Sequence, residues 1–80
     1  MKEFLEIIVK KLVEDVDSIS ITEREEERGK VLELKVASAD MGKVIGKEGR
    51  IAKAIRTIIR AIAIHNSEHY FVEISEKTED

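Results

Sequence analysis

The 80-residue chain has no cysteine, no proline, no tryptophan and no glutamine, and its aromatic residues are Phe4, Tyr70 and Phe71. Without cysteine, disulfides and thiolate metal sites are excluded, and a cytoplasmic location is compatible with the composition. No apolar run is long enough to cross a membrane. The N-terminal segment is broken by Glu6, Lys10 and Lys11, which does not suit a secretory signal. The low hydrophobicity that marks disorder is confined to the last few residues. Heavy use of Glu, Lys, Arg and Ile points toward a heat-adapted source.

What is present fits one small domain. The expected domain spans residues 1–76, with residues 77–80 a fraying tail. The formal net charge of −3 argues against a nucleic-acid partner, but its distribution reverses that. Residues 1–40 carry −4 and residues 61–80 carry −4, whereas residues 41–60 hold six basic side chains and one acidic, for +5. Such a local block sets the field that a phosphate backbone would feel. The alternative is a solvated helix face, the commoner origin of a charge run.

Hydrophobic spacing gives the elements. Phe4, Leu5, Ile8, Val9, Leu12, Val13 and Val16 recur at threes and fours, predicting a helix from Phe4 to Val16. Ser18–Thr22 alternates with period two and is β-branched, so it reads as a strand; polar Glu23–Lys30 reads as a hairpin connection; Val31–Val36 reads as a second strand. Ser38 is a candidate N-cap, with Asp40 in the first turn of a short helix from Ala39 to Ile45 that Gly46 stops. After Gly49, Ile51, Ala54, Ile55, Ile58, Ile59 and Ile62 make the best amphipathic pattern in the chain, ended by Asn66 and Ser67. A last strand covers His69–Ser75, with Tyr70, Val72 and Ile74 inward and Phe71 facing away. The order is α-β-β-α-α-β. The long connection suits a parallel pairing of the last two strands and the short one an antiparallel pairing of the first two. The expectation is an α+β fold: a three-stranded mixed sheet, second strand central, with three helices on one face.

The candidate site is Met41-Gly42-Lys43-Val44-Ile45-Gly46-Lys47-Glu48-Gly49-Arg50-Ile51. Glycines lacking Cβ let a ligand backbone lie close. The helix after Gly49 directs its unsatisfied N–H groups and positive dipole end at that place. Lys43, Lys47 and Arg50 add positive charge, which favours a phosphate. A Walker-type loop is excluded because Lys47 is followed by Glu48 rather than Ser or Thr, and a dinucleotide fingerprint because no Gly-x-Gly opens the segment.

Val44-Ile45-Gly46-Lys47-Glu48-Gly49-Arg50-Ile51 resembles the signature of KH domains, whose G-x-x-G loop between two helices clamps about four nucleotides. The element order resembles the type II KH arrangement. The whole chain is similar to the short bacterial KH-domain proteins of the KhpA type. The resemblance implies a non-catalytic RNA-binding protein that prefers single strands. It also implies post-transcriptional control in bacteria, RNA chaperone activity, effects on cell elongation and division, and self-association or pairing with a larger KH-containing RNA-binding protein. Carried over, the loop is Gly46, Lys47, Glu48 and Gly49. Gly42, Val44, Ile45 and Ile51 line a groove, Ile45 and Ile51 more as buried supports than as base contacts. Lys43 and Arg50 supply charge. Glu48 departs from the pattern, because a carboxylate in the loop opposes phosphate; weak affinity for a single domain is expected.

Lys53, Arg56 and Arg60 lie opposite the isoleucine face, either as an extended phosphate track or, the favoured alternative, as ordinary solvation; Lys53, nearest the loop, is the chosen contributor. Ala61 and Ile64 fall on that outer side and form a candidate dimer contact. His65 and His69 have a helical ligand spacing, yet Asn66 and Ser67 interrupt the helix and no third ligand is evident, so no metal or other cofactor is expected. No nucleophile–base pair or isolated carboxylate couple suggests catalysis. The rival function is a protein-interaction adaptor of KH shape with little RNA affinity. Duplex DNA is a weaker alternative, since no element reads as a recognition helix.

Overall fold

The computed structural model describes residues 1–77. Its elements are α1 (Lys2–Lys10), β1 (Ser20–Glu26), β2 (Gly29–Val36), α2 (Met41–Ile45), α3 (Arg50–His65) and β3 (Tyr70–Glu76), with 3-10 turns at Val16–Ser18, Ser38–Asp40 and Lys47–Gly49. The sheet order is β1-β2-β3. β1 pairs antiparallel with β2, and β2 pairs parallel with β3. This is the expected α+β mixed sheet with β2 central. Both outer strands carry a free edge.

Alternation along the strands separates two faces. Ile21, Leu32, Leu34, Val36, Tyr70 and Val72 point into one core with Leu5, Val9, Val44, Ile55 and Ile59. Each such aliphatic side chain contributes about 1.5–3 kcal/mol by leaving water. The opposite face is polar and tied by charge. The Arg24 guanidinium donates to Glu26, Glu33 and Glu73 across all three strands, at 2.8, 3.3 and 2.7 Å. Val31, on this face, is nonetheless fully buried, in register between Arg24 and Phe71.

Three elements differ from expectation. The first helix ends at Lys10, not Val16. The N–H groups of Lys11 and Leu12 bond three residues back, tightening the last turn. The N–H groups of Glu14 and Asp15 then leave the helix ladder and donate to the Asp40 carboxylate, at 3.2 and 3.0 Å. The periodic Val13 and Leu12 still reach the core after the turn, while Val16 is left exposed. β1 begins later than expected and extends through Glu26, so most of the presumed connection is strand and the turn is Glu27-Arg28. Its Arg24 and Glu26 join the salt-bridge lattice of the open face, while Glu23, on the other side of the strand, accepts from the Tyr70 hydroxyl at 3.4 Å.

The third difference is the rotation of α3. Its buried line is Ala52, Ile55, Ile59 and Ala63. Ile51 and Ile62 sit at the margin, Ala54 is exposed, and Ile58 is 44% exposed. Small side chains at 52 and 63 let the helix lie close to the sheet, which turns part of the isoleucine face outward. Of the fraying expected over residues 77–80, all but Lys77 lies outside the described residues. The N–H of Lys77 donates to the Val36 carbonyl at 2.7 Å.

Candidate nucleic-acid interface

Two helices and the turn between them build the site. α2 ends at Gly46, whose N–H closes on the Gly42 carbonyl at 2.8 Å. Gly46 then adopts φ 75°, ψ 176°, a region essentially restricted to glycine. A Cβ there would lie 2.6 Å from Cγ1 of Ile51. Ile51 thus packs against the bare face of Gly46 and sets the angle between α2 and α3. Glu48 and Gly49 both have positive φ, 58° and 74°. Gly49 accepts this freely, whereas Glu48 pays about 1–2 kcal/mol for the left-handed conformation. The chain then enters α3, sixteen residues long. No side chain caps its start, so its first N–H groups and positive dipole end face the loop surroundings.

The side chains of Lys47, Glu48 and Arg50 are exposed, as is Lys53 one turn further on. Among the described residues, Lys47 and Lys53 make no ion pair, while Arg50 lies 3.6 Å from the Glu48 carboxylate. Both partners are largely solvated, so the pair is weak and open to competition by a phosphate. The loop carboxylate therefore neutralises part of the charge beside it.

Other expected site residues have different surroundings. Val44 is fully buried in the core, which corrects its assignment to a groove wall: its side chain has no surface to offer. Ile45 and Ile51 are half-buried and pack on the core, as supports would. Gly42 is exposed, with nothing within 4 Å of where its Cβ would be. Lys43 is engaged elsewhere. Its ammonium sits 3.2 Å from Asp40 and 3.3 Å from Glu14.

Asp40 lies in the first turn, as the sequence predicts, and it is also the buried charge among the described residues, 2% exposed. Its two oxygens accept the Glu14 and Asp15 N–H groups and the Lys43 ammonium. The backbone donors of Asp15 and Glu14, followed by Lys43, hold its carboxyl below the usual carboxylate range despite burial. This contact fastens the segment after α1 to the front of α2. Nothing in the local sequence announces a contact 25 residues away.

His65 and His69 are exposed, and among the described residues no three His, Cys, Asp or Glu side chains are grouped to hold a metal. Among the same residues no helix is long and apolar enough to cross a membrane. Ala61 and Ile64 are exposed on α3, Ile64 at 61%. Ala54 and Ile58 continue this surface along the same helix.

The comparisons with known proteins agree with this architecture. The family model for the KhpA/KhpB KH domain matches residues 2–74. The RNA-binding protein KhpA of Clostridium acetobutylicum is 54% identical over 74 residues, covering 92% of this chain and 99% of its own. Its counterpart in Caldanaerobacter subterraneus is 46% identical over 74 residues, covering 92% and 99%. That of Aquifex aeolicus is 45% identical over 76 residues, covering 95% and 96%. No solved structure matches the chain. A G-x-x-G turn between two helices, a mixed sheet in the order α-β-β-α-α-β and these matches over nearly the full length have one explanation: the chain belongs to the KhpA/KhpB family of KH domains, which is non-enzymatic.

Proposed function

We propose that this protein binds single-stranded RNA without catalysis, holding the sugar-phosphate backbone at Gly46-Lys47-Glu48-Gly49. The observation that carries this is the uncapped start of α3 behind a glycine turn, ringed by the exposed Lys47, Arg50 and Lys53. Anions are favoured at such a helix start, and a flexible single strand can splay its bases beside it. The name RNA-binding protein, given to the relatives, supports the same function. Glu48 and the negative surroundings make the affinity of one domain weak, so pairing raises it by avidity.

The pairing surface is the outer side of α3, through Ala61 and Ile64 with Ile58 and Ala54. Small residues beside two exposed isoleucines allow close helix approach, in a homodimer or against a larger KH-containing partner. Such a protein serves bacterial post-transcriptional control, as an RNA chaperone, in the cytoplasm. The test is titration of oligouridine into the wild type and the Lys47→Asp/Glu48→Asp double variant. Loss of binding in the variant is expected. Equal weak binding by both proteins favours an adaptor of KH shape instead. For the pairing surface, Ile64→Lys is expected to convert a dimer to a monomer by solution mass; an unchanged dimer rejects that contact.

A further inference from the structure

One side of α3 keeps an exposed seam. Ala54, Ile58, Ala61 and His65 are all exposed, Ile58 at 44%. Their spacing of four, three and four sets them within about 60° of one another around the helix. The seam is separate from the buried line Ala52, Ile55, Ile59 and Ala63. Arg56, whose Nε donates to the Val72 carbonyl at 3.1 Å, is on the other side of the helix. Ile64 borders the seam beside Ala61.

The four positions are symmetric about the midpoint between Ile59 and Arg60, so that 54 mirrors 65 and 58 mirrors 61. Each mirrored pair holds one alanine and one larger residue. A two-fold axis at that midpoint sets Ile58 of one copy on the partner's Ala61 and His65 on the partner's Ala54, and the reverse. A two-fold interface needs this self-complementarity, and large facing small fills space without a void. Charge favours the same direction. Arg50 and Lys53 stand at the start of α3, whereas Glu68 follows its end and residues 61–80 carry −4. Antiparallel packing lays the basic end of one α3 toward the acidic end of the other and opposes the two helix dipoles. A parallel pair would set isoleucine on isoleucine and Arg50 beside Arg50.

We infer that a second copy of this chain packs antiparallel on this seam, and that the complete RNA site is therefore two glycine loops spanned by one strand. The inference rests on the proposed function and deepens it, because it fixes the length of RNA that the assembly takes. Gly49 lies about 16 Å along α3 from the axis, so the two loops are at least about 32 Å apart. One loop takes about four nucleotides, and 32 Å is about nine nucleotides at the stacked rise of a strand. The matching ligand is a single strand of about twenty nucleotides or more.

The chain has no cysteine, so introduced thiols report the seam directly. Ala54→Cys/His65→Cys is expected to form a disulfide-linked dimer on oxidation, and each single variant to stay unlinked. No link in the double variant, or a link through Ala54→Cys alone, overturns the antiparallel seam. By solution mass, Ala61→Ile is expected to be monomeric, and Ile58→Ala/Ala61→Ile to recover the dimer because the swap restores large against small. Failure of the swap to recover it rejects the pairing. All four positions are exposed, so the variants keep the fold, as thermal melting verifies. Oligouridines of about six and about thirty nucleotides then read the two-loop site. The advantage of the longer RNA is expected to be at least about tenfold greater in the wild type than in Ala61→Ile; equal advantages reject the two-loop site. The crosslink and the mass are read without RNA. A failure of the loop function, seen as undiminished binding by Lys47→Asp/Glu48→Asp, is thus distinct from a failure of the seam.

Discussion

Gly46 is the residue on which the loop geometry turns. Its backbone conformation excludes a side chain, and Ile51 occupies the space that one would need. Gly46→Ala is therefore expected to lose about 1–3 kcal/mol of stability, read as a lower midpoint in urea unfolding, and to weaken RNA binding because the angle between α2 and α3 opens. Glu48 offers the opposite change. It pairs with Arg50 and sits in the left-handed region, where asparagine is better tolerated. Glu48→Asn is expected to tighten oligouridine binding about two- to threefold, the size of one exposed charge interaction. Unchanged or weaker binding would show that the carboxylate does not oppose the ligand. The glycine spacing and the neighbouring bases were legible in the sequence because they are local. The contact of Glu48 with Arg50 was not, since the spacing of two residues brings their side chains together only when the intervening turn has this conformation.

Between elements, Asp40 is the principal tie. A carboxyl whose folded pKa is depressed lends stability that is full above its ordinary pKa, about 3.9, and is lost as pH falls through the lower folded value. Stability of the wild type is thus expected to decline below about pH 4 in part through this group. Asp40→Asn is expected to melt several degrees lower at neutral pH, with a smaller further loss on acidification. Parallel melting curves for the two proteins across the acid range would contradict this role. The same tie explains why the first helix is shorter than its periodicity. Residues 12 and 13 continue the apolar spacing because they remain in the core, but the backbone has already turned to meet Asp40. Periodicity reports which side chains are buried and cannot report a long-range acceptor that ends a helix. In α3 the limits of the helix were legible and its rotation was not, because the close approach permitted by Ala52 and Ala63 is a property of the sheet beneath. The alternation of β3 was legible because period two is local: Tyr70 and Val72 are buried inward, and Phe71 lies on the other face.

For the whole molecule, charge placement matters more than net charge. Acidic residues dominate the rest of the chain, while the basic block of residues 41–60 follows α2, the loop and most of α3. Three phosphate contacts, by Lys47, Arg50 and Lys53, predict a log–log salt slope of about −2 for a loop-length single strand. A salt-insensitive complex would mean that backbone phosphates are not what the protein holds. The element order and the parallel crossover were legible from connection lengths. The charged lattice across the open face was not, because it pairs β1, β2 and β3 residues far apart in sequence. The most direct test of the central claim is residue-resolved NMR of the backbone amides during titration with oligouridine. The account predicts the largest shifts at Gly46 through Ile51, at the turn and the start of α3. Shifts concentrated at the free edge of β1, with the loop amides unmoved, would contradict it.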